Sequence, residues 1–134
     1  SVPAQVGGDG GEDVRVLTGG IHTVRHSLRP LPSADSPRPD GLPTLVQFGA
    51  TWCEVCHAME PVMAHVRRST EGRLAVVEKD VDSEMALVRQ FRVFGTPTFV
   101  VLDAHGRELG RPRLILDPVR FLADVERIAS GSRG

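Results

Sequence analysis

The sequence predicts an α/β domain, and three observations carry that reading. Short apolar runs at 45–48, 74–77 and 98–102 have the length and β-branched content of buried strands. The segments between them place apolar residues at helical spacing. Near the end, Asp117-Pro118 pairs a capping carboxylate with a proline at the first helical position, a strong helix opening.

Taken in order, 14–17 reads as a strand closed by Gly19 and Gly20. Residues 21–29 carry Ile21, Val24 and Leu28 at helical spacing and are expected to form an amphipathic helix stopped by Pro30. Five prolines from Pro30 to Pro43 and no apolar periodicity make 30–43 a surface loop, long for a compact domain. After the strand 45–48, a helix is expected from Cys53 to about Ser69. Val55, Met59, Val62, Met63 and Val66 form its apolar side, and Pro61 should kink it. A strand at 74–81 follows, then a helix capped by Ser83 and running to about Phe91. The strand 98–102 turns through 104–106 into 107–109. The last helix is expected to bury Val119, Phe121, Leu122, Val125 and Ile128.

Composition excludes several function classes. The 134 residues suit one domain, and 40% hydrophobic with 25% charged residues is a globular balance. A net charge of −1 gives no electrostatic footprint for nucleic acid or an anionic membrane. No apolar run approaches the ~20 residues of a membrane helix. Two cysteines cannot build a disulfide-dense scaffold or a zinc site made of cysteine alone. The Gly-rich stretch 1–13 reads as a flexible lead and 130–134 as a flexible tail, around a domain at 14–129. A chain that opens on Ser1 behind such a lead favours an extracytoplasmic origin, by trimming below a signal or anchor, over a cytoplasmic one.

The chemistry centres on Trp52-Cys53-Glu54-Val55-Cys56. At a helix start, unsatisfied backbone N–H groups and the positive end of the helix dipole favour a thiolate at Cys53. Cys56 lies three residues on, on the same face and within disulfide reach. One thiolate can attack a substrate disulfide while the other resolves the mixed disulfide. Gly95-Thr96-Pro97 stands at the mouth of the buried strand 98–102, where a proline cannot donate to the ladder. A cis Thr96–Pro97 bond would account for it, and so would a trans proline at the first strand position.

Together these residues resemble the thioredoxin family. Phe48, Ala50, Trp52, Cys53, Cys56, Pro61, Asp82 and Gly95-Thr96-Pro97 match its pattern in register, and the likeness extends over 14–129. The resemblance implies a thioredoxin fold, a central mixed sheet flanked by helices on both faces. It also implies Cys53 as attacking thiol, Cys56 as resolving thiol, and a docking groove flanked by Trp52 and a cis Thr96–Pro97 loop. It implies protein thiol or disulfide substrates, an unidentified redox partner, a monomer, and no cofactor beyond the two cysteines.

The departures are equally specific. Glu54-Val55 stands where the family has Gly-Pro, and Gln47 where it has a buried Asp. Glu78 stands where it has Lys, Arg113-Leu114 where it has a glycine, and the 30–43 loop is longer than usual. A lone carboxylate in the run 74–78 should have a raised pKa and could act as the base that Gln47 cannot be. Alternatively, Glu78 points to solvent beside Lys79.

Cys53-x-x-Cys56-His57 also satisfies the c-type haem attachment pattern, with Met59, Met63, His65 or His105 as second axial ligand. A motif wedged between a buried strand and a buried helix leaves no room for a porphyrin. A metal site on Cys53, Cys56 and His57 lacks a fourth ligand. His57 is therefore read as an exposed residue of the first turn and a local proton partner. Met59 and Met63 are read as core. The expected activity is thiol–disulfide exchange, with the dithiol as reductant. A redox-inactive or metal- or haem-related binding module on the same fold is the alternative.

Overall fold

The structure, a computed structural model, describes residues 14–19, 22–27 and 30–131. The lead 1–13, Gly20, Ile21, Leu28, Arg29 and 132–134 lie outside the described residues.

The chain order is β1 Val14–Gly19, β2 His22–Ser27, β3 Thr44–Gly49, α1 Glu54–Ala58, α2 Glu60–Ser69, β4 Ala75–Asp80, α3 Met85–Phe91, β5 Thr98–Leu102, β6 Glu108–Gly110 and α4 Pro118–Ser130. Four strands form a mixed sheet in the order β4-β3-β5-β6. The β3–β4 pair is parallel, whereas β5 runs antiparallel to both β3 and β6. Within the segment expected as a helix at 21–29, His22–Ser27 is instead strand β2. It pairs antiparallel with β1 from Gly19↔His22 to Val14↔Ser27. A short glycine-led connection brings two segments of similar β-propensity together, and ladder bonds outweigh a sparse helical spacing.

Side chains of β3 alternate between two cores, as the period of a strand requires. Leu45 joins Phe99, Val101, Met59, Val62, Met63, Val66, Phe121 and Val125 beneath α2 and α4. Val46 and Phe48 join Val100, Leu102, Phe91 and Val93 on the opposite face, with Leu87 and Val88 of α3 packed against them. Helices thus cover both faces, as the sequence implies.

The expected long helix is two helices meeting at Met59. Pro61 at the second position of α2 cannot donate a backbone bond, and its ring clashes with the carbonyl four residues back. Val55 is exposed rather than part of the core. The cap of α3 is Glu84, without a side-chain bond, because the Ser83 hydroxyl donates to Asp80 Oδ2 at 2.7 Å instead. The Asp117 cap of α4 forms as expected, accepting from Val119 N and Arg120 N. Val119 itself is exposed, since the first turn of α4 overhangs the core that Phe121 and Val125 fill.

The 30–43 loop is fixed to the sheet. Arg38 N donates to Ala104 O at 2.9 Å, and Ala75 N donates to Pro43 O at 2.9 Å. Leu31 packs against the core beneath α3.

Candidate active site

Three chain segments converge at one end of the sheet. Strand β3 leaves through Gly49 and Ala50, and Val81 N donates to Gly49 O at 2.9 Å as β4 ends beside it. Thr98 opens β5 opposite Phe48, so 95–97 arrive at the same edge. The connection from β3 to α1, carrying Thr51, Trp52 and Cys53, lies where these three meet.

Cys53 is the N-cap of α1, and its Sγ accepts the backbone N–H of Cys56 at 3.1 Å. The two cysteines form a disulfide with Cα atoms 5.2 Å apart, within the ordinary range for such a bond. They are almost equally covered, at 6% and 5% exposure, and pack with Ala50 and Val81. Exposure therefore does not distinguish them. The donated N–H does, because it supports negative charge on Cys53 alone.

Trp52 is 64% exposed, and its indole N–H donates to Asp82 Oδ2 at 2.8 Å. Asp82 lies in the turn after β4, which stops at Asp80. That turn is held by Asp80, whose carboxylate accepts from Asp82 N and the Ser83 hydroxyl. The sequence reading matched Asp82 to the family without foreseeing this bond.

His57 differs from expectation. Its side chain is only 7% exposed. Nε2 donates to Thr51 O at 2.8 Å, while Nδ1 lies 3.3 Å from Glu60 Oε2. The ring thus fastens the turn before the cysteines to the helix after them, and this contact folds it inward.

Gln47 is buried, and Gly49 explains what its amide faces. A Cβ built on Gly49 would sit 3.1 Å from Cys56 Sγ and 3.7 Å from Gln47 Nε2. The glycine leaves room for the resolving sulfur and for the amide in the same neighbourhood.

Glu78 stands beside Gln47 in the parallel register, on the sheet face that α2 covers. It is neither lone nor solvent-facing: Arg67 Nη2 of α2 donates to Glu78 Oε2 at 2.8 Å, and the carboxylate side chain is 12% exposed. The premise of an unpartnered acid is corrected by an arginine one helix away, which no local pattern reveals. Lys79 is not at the surface either. It is 1% exposed and its Nζ lies 3.6 Å from Glu84 Oε2.

The Thr96–Pro97 peptide bond is cis. Thr96 and Pro97 are half-buried, Gly95 is exposed, and its carbonyl accepts the Thr98 hydroxyl at 2.6 Å.

The residues considered for haem do not assemble. Met59 and Met63 are fully buried in the core, and His105 lies beyond the far end of β5, a strand's length from the cysteines. His65 is half-buried on α2. Among the described residues, no three His, Cys, Asp or Glu side chains come together as a metal-holding group.

Comparison with known proteins places this geometry. The thioredoxin family model matches residues 40–110. The chain belongs to the thioredoxin family. It is 38% identical over 95 residues to the chloroplastic thioredoxin-like protein HCF164 of Oryza sativa subsp. japonica, covering 69% of this chain and 36% of that protein. It is 37% identical over 91 residues to a thiol:disulfide interchange protein TxlA homolog of Synechocystis sp., covering 66% of this chain and 50% of that one. The chain thus spans between about a third and a half of these two relatives. Among solved structures, a mutant thioredoxin from Halobacterium salinarum superposes with a TM-score of 0.57 at 31% identity, covering 67% of this chain and 77% of that one. Among the described residues, no helix is long and apolar enough to cross a membrane.

Proposed function

We propose that the chain is a thiol–disulfide oxidoreductase that works on protein substrates through a mixed disulfide, with the Cys53–Cys56 dithiol as reductant. The observation that carries the reading is the cysteine pair at a helix N-cap, with the Cys56 N–H donated to Cys53 Sγ. In the forward step the Cys53 thiolate attacks a substrate disulfide, forms one S–S bond and releases one substrate thiolate. Cys56, deprotonated, then attacks Cys53 Sγ, which closes the internal disulfide and releases the second substrate thiolate. Two electrons leave the protein for the substrate, and no further cofactor takes part.

Glu78 is ion-paired with Arg67 beside Gln47 and takes no part in the proposed exchange. Trp52 and the 95–97 loop are the proposed walls of the substrate groove. A monomer, a separate redox partner and an extracytoplasmic location complete the proposal. The location is supported by the chloroplastic relative and tested by locating the tagged protein in fractionated cells.

Reduction of insulin by the purified protein with dithiothreitol tests the activity. Cys53→Ser should abolish it, and Cys56→Ser should accumulate the mixed disulfide. Direction is tested by the reduction potential: about −270 mV fits a reductant, whereas about −120 mV fits an oxidant.

A further inference from the structure

Phe94 stands apart from every other aromatic residue of the core. Phe48, Phe91, Phe99 and Phe121 are buried, whereas Phe94 is 93% exposed. Its neighbours impose that exposure. Val93 is buried, and its N–H donates to Val88 O at 2.9 Å. Arg92 takes the left-handed conformation with φ 53°, uncommon for a side-chain-bearing residue, and so reverses the chain after α3. The Phe91 carbonyl accepts from Arg111 Nη2 at 2.6 Å, and Gly95 O accepts the Thr98 hydroxyl at 2.6 Å. Phe94 is thus held between two anchored points with its ring outside the core.

The ring's position relates it to the cysteines. It precedes Thr98 by four residues, and Thr98 is opposite Phe48, from which the chain runs five residues to Cys53. Phe94 directly precedes the 95–97 segment, which reaches the end of the sheet where Cys53 stands, so a substrate chain that follows that segment away from Cys53 passes Phe94. The surrounding rim has both signs of charge, with Glu54 and Asp82 on the cysteine side and Arg92 beside the ring, all exposed. Charge does not favour one kind of partner there, whereas an exposed phenyl ring favours apolar contact.

We infer that Phe94 is a specificity-determining residue, accepting an apolar side chain that flanks the reacting cysteine of a protein substrate. This inference rests on the oxidoreductase reading above. Its test uses two peptides of equal length, each with one cysteine disulfide-linked to glutathione, flanked by Leu in one and by Ser in the other. Bis(2-hydroxyethyl) disulfide, which carries no apolar side chain to seat on Phe94, is the reference substrate. The native protein should reduce the Leu peptide with a kcat/KM on the order of tenfold above the Ser peptide, the scale of partial burial of a leucine. Phe94→Ser should bring the ratio to about twofold or less by loss on the Leu peptide alone, with the reference unchanged, while Phe94→Leu keeps most of the preference. No preference in the native protein, or a preference that survives Phe94→Ser, overturns the assignment. Inactivity toward all three substrates overturns the oxidoreductase reading, and this inference falls with it.

Discussion

Two sulfurs of nearly equal burial have unequal surroundings. Cys53 Sγ accepts a backbone N–H, while Cys56 faces the space kept open by Gly49 and shared with the Gln47 amide. A hydrogen bond to the charged form lowers a thiol's pKa, so Cys53 should be the reactive group once the disulfide is reduced. Iodoacetamide labelling of the reduced protein at neutral pH, followed by peptide mapping, should modify Cys53 first. Equal or preferential labelling of Cys56 would refute the assignment. A similar dependence on surroundings marks His57 and Glu78, which face Thr51 O and Arg67 rather than solvent.

At the scale of elements, helix ends and the long loop depend on identifiable bonds. Asp117 accepts two backbone N–H groups at the start of α4, and Asp117→Ala should cost about 1 kcal/mol, read as a lower midpoint in urea unfolding. The 30–43 loop presses on the turn between β5 and β6. Gly106 has φ +85° there, and a Cβ on it would lie 2.1 Å from Pro32 O. Gly106→Ala should therefore destabilise by more than the Asp117 change, since both backbone conformation and close approach are lost. Within the loop, the hydrogen bond from Arg38 holds the Asp40 carboxyl down at about 2, from an ordinary value of 3.8. A depressed carboxylate contributes stability above its unfolded pKa, and that contribution disappears as pH falls from near 3.8 to about 2. The pair is partly exposed, so the effect is small and screened by salt. Asp40→Asn should lower Tm slightly near neutrality, and the difference should shrink as pH falls toward 2. A Tm difference that stays undiminished down to that pH would show a role other than the ion pair.

For the molecule as a whole, the single lysine is a reporter of global structure. Lys79 is 1% exposed and stands opposite Phe48 in the parallel register, near Glu84. Its amine should stay unmodified by an amine-reactive reagent in the folded protein. It should become labelled only with the cooperative loss of the sheet. Peptide mapping across a urea titration would show labelling of Lys79 tracking the unfolding curve; labelling ahead of that curve would reveal local opening of β4.

Much of this molecule was legible in its residues. The buried strands, the cysteine pair at a helix start, the Asp117 cap and the interruption at Pro61 are local in origin. Strand periodicity, capping chemistry and a missing N–H each act within a few residues, and the family pattern adds the cis Thr96–Pro97 bond. What the sequence did not display depends on partners distant along the chain. The His22–Ser27 segment is a strand because β1 offers it a ladder. Glu78 is paired because α2 brings Arg67 across the sheet, and Trp52 is oriented because the turn after β4 brings Asp82 to its indole. Phe94 is exposed because Val93 and the turn at Arg92 take up the space that would bury it. Local sequence sets which conformations a segment favours by fractions of a kcal/mol per residue. Distant neighbours decide which side chains are buried and paired, because burial and charge pairing belong to the assembled core.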